Sequence, residues 1–474
     1  MVKPLSILRL TGPLIISFWL RSAFAWVDIF FAAELERLDS LRGLGDASIA
    51  AIGLALPFEF LIIAVWVGTS NGLTANLASA MGANEGERIE QLKVATGKII
   101  LVLAVLFVAV AAGIWSFAHT FIDKPLLAQQ FQIYATVLIG GSAFTSFWAI
   151  LPDSVVKAHQ DTRGTMWAGL LSGFTNLALN AVFVFVFGWG ILGIAISTVL
   201  GRIAGLAFAI HRAASHERKR KAASPIPNPG RYARPIRTIL EIAVPSSMTY
   251  LLMAMESMAV LFLITQLSPE ATTTSLLAAW AIFDQTLRFL LMPAIACSVA
   301  FLPLAARYVG LSDIPAIRSE YNTAMRASYI YVLLFVLPLA WLLGPWLADV
   351  LSDTPATRGY ATEGMPFLPL AVLAATPFFL SRSVFDGMKK PRPGLWASMI
   401  RAFVFFLPAM TIGYFTAIYL KVSPMFGLCG GSVIALALGA QLLKKWMERF
   451  LEEHSIHEDV SELDQLAAGG SSSD

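Results

Sequence analysis

Long apolar runs, broken at short intervals by polar, glycine or proline positions, set the pattern of this chain. The runs fall at 7–33, 48–80, 95–118, 131–152, 166–187 and 191–211, then at 239–265, 275–304, 327–350, 363–386, 394–416 and 424–443. About 20 apolar residues in a helix span the hydrocarbon core of a bilayer. Inside that core every backbone group must be bonded within the segment, which favours helices. The pattern therefore predicts an all-α polytopic membrane protein with twelve transmembrane helices. Pro13, Pro57, Pro245, Pro293, Pro338, Pro377 and Pro408 lie inside these runs. Each removes a backbone donor, so kinks, some of them hinges, are expected there.

The first run needs a separate test. Lys3 and Arg9 precede it, and Ala23-Phe24-Ala25 has the small-residue form of a signal-peptide cleavage site. Arg21 interrupts the region before that site, and apolar character continues to Ala33. A retained first helix over 7–33 is the expectation.

The basic residues orient the chain. One set of connections holds Arg88 and Lys93, Lys157 and Arg163, the run from Arg212 to Arg237, Arg307 and Arg318, and Lys389, Lys390 and Arg392. Both chain ends fall on the same side, with Lys3 at one end and Lys444, Lys445 and Arg449 at the other. The opposite connections hold only Arg37, Arg42, Lys124, Arg358 and Lys421. The bias predicts a multi-pass protein of the inner (plasma) membrane with both termini in the cytoplasm. Four regions follow: a six-helix lobe at 1–211, a basic cytoplasmic linker at 212–238, a second six-helix lobe at 239–445 and an acidic tail at 446–474. The linker contains Pro225-Ile226-Pro227-Asn228-Pro229-Gly230, a sequence suited to a flexible connection. The tail carries Glu448, Glu452, Glu453, Glu458, Asp459, Glu462 and Asp464 and reads as a solvated helix with a disordered end.

The two lobes share a colinear set of anchors. Ile7-Leu8 before Pro13 matches Ile239-Leu240 before Pro245. Ala50-Ala51 matches Ala278-Ala279, and Gly82 matches Gly310. Trp167-Ala168 matches Trp396-Ala397, and Gly190-x-x-Gly193 matches Gly427-x-x-Gly430. Six spans is an even number, so both lobes enter from one side and form two parallel six-helix repeats. Transporters place substrate and ion sites near the midplane at such repeats.

Composition narrows the function. Of 474 residues, 57% are hydrophobic and 14% charged, and the mean hydropathy is +0.69. Soluble domains carry about 25% charged residues, so most soluble enzymes are excluded. A net charge of +3, explained by loop orientation, gives no reason to expect nucleic acid as a partner. Cys297 and Cys429 both sit in apolar runs and suit packing rather than a disulfide. No nucleophile–base pairing, metal-ligand spacing or Gly-x-x-x-x-Gly-Lys phosphate loop occurs, so neither an enzyme nor an ATP-driven pump is expected, and no cofactor is. The six histidines lie at or beyond the segment ends.

Ionisable residues inside the runs are the candidates for function, because a charge at the bilayer centre costs roughly 2.5–3.5 kcal/mol on insertion scales. Arg21 and Asp28 are seven residues apart in the first helix and share a face. Glu59 is in the second helix, Arg202 in the sixth, Glu256 in the seventh, and Asp284 with Arg288 in the eighth. Asp284 and Arg288 are spaced i,i+4 and can neutralise each other. Asp28 has no cation one turn away. Glu256 has no basic partner on its own helix, which suggests a visiting proton or cation. Asn176 and Asn180 share a face of the fifth helix, and Thr198 adds a hydroxyl on the sixth. With Asp28 these oxygens could hold Na⁺, while Asp28 alone could carry a proton. Two asparagines in a membrane helix can equally serve interhelical hydrogen bonds.

These residues, with several short motifs, resemble the multidrug and toxic compound extrusion (MATE) family of secondary transporters. The motifs are Pro13 fifteen residues before Asp28, Ser48-Ile49-Ala50-Ala51-Ile52-Gly53-Leu54, Ala80-Met81-Gly82-Ala83-Asn84, Gly164-Thr165-Met166, Asn176-Leu177-Ala178-Leu179-Asn180, and Gly190 to Thr198. The resemblance covers about residues 5–445 and implies two six-helix lobes forming a V, working as a monomer. It implies export of organic cations and drugs in exchange for H⁺ or Na⁺. It places Asp28, Asn176, Asn180 and Thr198 at the coupling site and Glu256 in the second lobe, where Asp284 is a further candidate for cation or substrate by its position alone. Some members carry aspartate at the Asn180 position and another in the tenth helix, where Phe367–Phe385 here contains no carboxylate and Asp386 lies at the cytoplasmic end. Arg21, Glu59, Arg202 and Arg288 are further charges at membrane depth. Phe58, Trp66 and Trp280 are candidate contacts for planar cations. The alternative is a flippase for a lipid-linked oligosaccharide or lipid precursor, with Arg21, Arg202 and Arg288 holding phosphates.

Overall fold

The structure is a computed structural model that describes residues 6–24, 27–35, 44–122, 125–223, 234–311, 313–352 and 354–469. Lys3, Ala25, Trp26, Arg37, Arg42, Lys124, Pro225 to Gly230 and Arg231 lie outside these residues. So do the side chains of Arg21 and of Glu458, Asp459, Glu462 and Asp464.

The described residues form helices and no strand. In chain order they are α1 (Ile7–Phe24), α2 (Val27–Glu34), α3 (Gly45–Gly82), α4 (Gly86–Phe121), α5 (Pro125–Phe144), α6 (Ser146–Ala158), α7 (Thr162–Ala181), α8 (Gly190–Ala223), α9 (Pro235–Leu267), α10 (Glu270–Gly310), α11 (Ile314–Tyr331), α12 (Gly344–Val350), α13 (Pro355–Gly364), α14 (Leu368–Gly387), α15 (Arg392–Ile400), α16 (Leu407–Tyr419) and α17 (Pro424–Gly469). Eleven stretches among the described residues are long and apolar enough to cross a membrane, and Ile7–Leu20 is a shorter apolar helix. All twelve expected spans are helical in their described residues; the first, expected over 7–33, is covered by α1 and α2, with Ala25 and Trp26 between them outside the described residues.

Repeated tight turns end the spans. Asn84, Gln160, Lys389 and Lys421 all have φ between 56° and 60°. A left-handed residue there lets the following amide reach back to a carbonyl five residues earlier. Glu85 N bonds Ala80 O at 2.9 Å, Asp161 N bonds Val156 O at 3.1 Å, and Lys390 N bonds Phe385 O at 2.8 Å. Val422 N bonds Ala417 O at 3.0 Å. The orphan carbonyls at these helix ends are thereby satisfied, and the next helix starts within a few residues.

The chain divides into two compact units, Arg9–Leu251 and Leu252 onward with the residues up to Leu8. The division falls inside α9. Before it, Asn76 on α3 donates to the Thr238 carbonyl at 3.3 Å. At the chain start, Ile7 N donates to Glu320 Oε2 at 3.0 Å. In the first unit α3 packs on α5 and α6, α4 on α5, and α7 on α8. In the second, α14 packs on α10 and α17, and Trp280, Phe283, Leu290, Leu368, Val372 and Tyr414 belong to one buried cluster. Outward faces are apolar: Leu101, Val102 and Val105 on α4 are each at least 60% exposed, as suits a surface wetted by lipid. Cys297 and Cys429 are buried, and neither forms a disulfide.

The basic run 212–238 is not a linker throughout. Helix α8 continues to Ala223 and α9 starts at Pro235. The cause is charge pairing. Glu217 holds Lys93 at 2.7 Å and Arg220 at 2.9 Å, and Glu90 on α4 holds Arg220 at 2.7 Å. Asp161 accepts from His216 Nε2 at 2.8 Å and from Arg212, and it also caps α7 through Gly164 N at 3.0 Å. Burial works against the Asp161 carboxylate, but the bonds from Arg212, His216 and Gly164 outweigh it and hold the group below the usual range. Its stabilisation is therefore complete above the ordinary carboxylate value and is lost as pH falls through the lowered folded value. Loss of a cap costs about 0.5–2 kcal/mol. Asp161→Ala should lower the melting temperature of detergent-solubilised protein at neutral pH. The deficit should persist at mildly acidic pH and narrow only below about pH 4, where the unfolded carboxyl protonates.

The tail is helical, as expected. Helix α17 runs unbroken from the last span to Gly469, and Glu452 pairs with Arg318 at 3.2 Å. The terminal 470–474 lie outside the described residues.

Candidate functional site

Asp28 lies in the first turn of α2 and meets side chains from α5, α7 and α8. Close helix approach brings them together. A Cβ on Gly201 would come within 2.6 Å of the Ser172 carbonyl, and one on Gly205 within 2.8 Å of the Ala168 carbonyl. Only glycine lets α8 lie this close to α7. Asn176 and Asn180, one turn apart on α7, then face Thr198 on α8.

The carboxylate of Asp28 is surrounded by donors. Thr198 Oγ1 donates to Oδ2 at 2.8 Å, and the amide nitrogens of Asn180 and Asn176 donate to Oδ1 at 3.0 and 3.3 Å. Tyr134 on α5 donates to Oδ2 at a longer 3.4 Å. Asn176 also donates to Thr198 Oγ1 at 3.0 Å. Ser197 donates to the Asn180 carbonyl oxygen at 2.6 Å, which fixes the amide with its nitrogen toward Asp28. Thr198 has a second acceptor, the Ile194 carbonyl one turn back at 3.0 Å. Its single proton can serve either Asp28 or Ile194. Asp28, Asn176, Asn180 and Thr198 thus converge as the sequence pattern suggested. Tyr134 and Ser197 were not foreseen. A tyrosine hydroxyl in an apolar run was the available signal for the first, since such a group seeks a partner.

A second cluster lies one turn further along α8. Arg202 bonds Glu59 Oε1 at 3.1 Å and Ser142 Oγ at 2.5 Å. Ser142 and Tyr134 are eight residues apart on α5, so one face of α5 serves both clusters. Arg202 is a paired charge that joins α3, α5 and α8.

The second unit holds two separate pairs. Arg288 bonds Asp284 at 2.9 Å, as the i,i+4 spacing suggested, and Ser257 at 2.5 Å. Glu256 departs from expectation. Its own helix offers no cation for it, but Arg401 grips it with Nε to Oε1 at 3.1 Å and Nη2 to Oε2 at 2.9 Å. Arg401 is 1% exposed, and its guanidinium lies 4.3 Å over the Phe378 ring. The pairing crosses from α9 to the eleventh span, so spacing along one helix could not reveal it. A basic residue seven positions inside an apolar run was the missed signal. Asp386 is likewise buried, 3.7 Å from Arg382.

One aromatic expectation also changes. Trp280 is 3% exposed and packs at 5.3 Å on Phe283 within the core, so it is not an open contact for a planar cation. Phe58 lies 6.3 Å from Phe131, and Lys157 sits 5.2 Å above the Trp66 ring.

The comparisons agree with this architecture. The MatE family model matches the chain twice, over residues 13–186 and 245–412. The two matches begin at Pro13 and Pro245, the first pair of repeat anchors. The chain belongs to the MatE family. Its fold is that of solved members: an outward-facing multidrug resistance MATE family transporter of the MOP superfamily is 19% identical, with a TM-score of 0.82 over 95% of this chain and 96% of that one. A Vibrio cholerae MATE transporter, VcmN in its bent form, is 20% identical, with a TM-score of 0.80 over 95% and 97%. A Pyrococcus furiosus MOP superfamily transporter, whose binding pocket of reverse polarity suggests a different function, is 20% identical with a TM-score of 0.80 over 95% and 96%. The probable multidrug resistance protein YoeA of Bacillus subtilis (strain 168) is 22% identical over 66% of this chain and 69% of its own length.

Proposed function

We propose that this protein is a proton-coupled antiporter that exports organic, mainly cationic, compounds across the inner membrane by alternating access. It would work as a monomer with both termini in the cytoplasm. The carrying observation is the Asp28 shell. Every group around the carboxylate is a donor, and the nearest has a second acceptor ready. When a proton arrives on Asp28, Thr198 can turn its hydroxyl to the Ile194 carbonyl and accept instead of donate. No helix has to move for that exchange. Sodium asks for more, because it needs amide oxygens where amide nitrogens now point, and Ser197 holds the Asn180 oxygen away. The kinship to a probable multidrug resistance protein supports the substrate class.

Protonation removes the charge that attracts an organic cation. In the cycle, a proton entering from outside loads Asp28 and releases the compound outward. Return to the inward-open state frees the proton and restores the carboxylate. Linkage then requires substrate to weaken proton binding by the factor that the proton weakens substrate binding.

The lipid-precursor reading loses its support at two residues. It needs Arg202 and Arg288 free for phosphate, and both are engaged, with Glu59 and Ser142 in one case and Asp284 and Ser257 in the other.

Inverted membrane vesicles bearing a pH gradient test the proposal. Adding an organic cation from a panel should dissipate the gradient in vesicles with this protein and not in controls, with or without Na⁺. Dissipation only with Na⁺ present would reassign the coupling ion. No response to any cation would reject the substrate class.

A further inference from the structure

A cavity of about 370 Å³ lies between α14, α15 and α17 in the second unit, away from the pairs described above. Its walls carry Arg392, Trp396, Trp446, Arg449 and Glu453. Phe385 and Phe450, with ring centroids 5.6 Å apart, close one side. Arg392 is the first residue of one span, Trp446 and Arg449 follow the end of the apolar run 424–443 on α17, and Phe385 is two residues before the end of a third span. The cavity therefore sits where three spans reach the edge of the bilayer. The Lys389-Lys390 turn beside it and Lys444-Lys445 on α17 belong to the basic side of the chain.

Two features mark this place as more than a crevice. Arg392 and Arg449 are exposed and make no hydrogen bond or ion pair among the described residues, whereas Arg202, Arg288, Arg382 and Arg401 are all paired. Two indoles stand beside the two free guanidiniums, and tryptophan is the side chain favoured at headgroup depth. Trp396 and Phe403 on the same span are 57% and 53% exposed, apolar surface leading from the cavity into the bilayer.

The geometry points to a binding site for the headgroup of an anionic phospholipid on the cytoplasmic leaflet. Two guanidinium forks can bind the oxygens of one phosphodiester. The tryptophans line the glycerol region, and an acyl chain runs along Trp396 and Phe403. Glu453 sets the charge. Two cations and one carboxylate leave a surplus of one positive charge, which matches a singly charged phosphodiester such as phosphatidylglycerol. Anionic lipid is held on the cytoplasmic side by this kind of basic pocket between helix ends.

The test is native mass spectrometry of the delipidated full chain in detergent, titrated with palmitoyl-oleoyl phosphatidylglycerol. One lipid per chain should bind more tightly than phosphatidylethanolamine. Arg392→Gln with Arg449→Gln should weaken it about thirtyfold, each cation near the surface contributing a factor of about five. Lys98→Gln with Arg237→Gln, two cations lining a separate cavity, should change nothing. Glu453→Gln should tighten binding about fivefold by the same charge count, a gain that misfolding cannot produce. Equal binding by the double arginine variant, equal affinity for phosphatidylethanolamine, or displacement by millimolar inorganic phosphate would each overturn the assignment.

Discussion

Asp28→Asn should abolish proton-coupled export while leaving the protein folded. Asparagine is nearly the same size, so packing among α2, α7 and α8 is kept. It can neither carry nor release a proton, and its own amide nitrogen meets the nitrogens of Asn176 and Asn180, which now donate to Oδ1. Thr198 can still donate to the remaining carbonyl oxygen. Hydrogen bonds to a charged group contribute about 1.5–3 kcal/mol each against about 1 kcal/mol for neutral ones. A modest fall in melting temperature should accompany a complete loss of cation-driven gradient dissipation in inverted vesicles. Thr198→Val should be milder, slowing exchange without stopping it, because Asp28 keeps its titratable oxygens and loses the partner that reorients. Wild-type exchange by Asp28→Asn at equal expression would move the coupling site elsewhere.

The second large effect is expected at Glu256 and Arg401. Their pair is almost wholly enclosed, with side-chain exposures of 9% and 2%. Removing one member of a buried pair leaves the other charge unpaired and costs about 3–5 kcal/mol, whereas replacing both by apolar residues is often nearly neutral. Arg401→Met and Glu256→Met should each lower stability by an amount in that range, seen in thermal melts of solubilised protein. Glu256→Met with Arg401→Met should restore most of it. The same double variant bears on mechanism. Arg401 fills the place beside Glu256 that a visiting cation would take, so Glu256 contributes no exchangeable charge in the proposed cycle. Exchange should therefore survive in the double variant and fail in Asp28→Asn. Strictly additive stability losses would deny the pairing, and loss of proton coupling in a stable double variant would place an exchangeable charge in the second unit.

The spans, the repeat and the sidedness of the basic residues could be read along the chain because each depends on local periodicity or on counts. A bilayer admits only long apolar helices, so their number follows from length and breaks alone. Asp28, Asn176, Asn180 and Thr198 were legible for a related reason: polar groups in apolar runs are costly, and the spacing of the asparagines places them on one face. The ends of spans were less legible. Arg212 to Ala223 looks like a loop by hydropathy but is helical, because Glu90, Glu217 and Asp161 neutralise its cations.

Tertiary structure alone decided which charges meet. Glu256 has no cation on its own helix, yet it is fully paired by Arg401 from 145 positions away. Arg202 looked available for a phosphate and instead closes on Glu59 and Ser142. Trp280 looked like a cavity aromatic and is buried in a core. Tyr134 and Ser197 joined the Asp28 cluster for the same cause. Helical periodicity states the face a side chain occupies but not which helix that face meets. That depends on long-range packing, here on the small residues that let α7 and α8 touch and on the need of each buried charge for an opposite one.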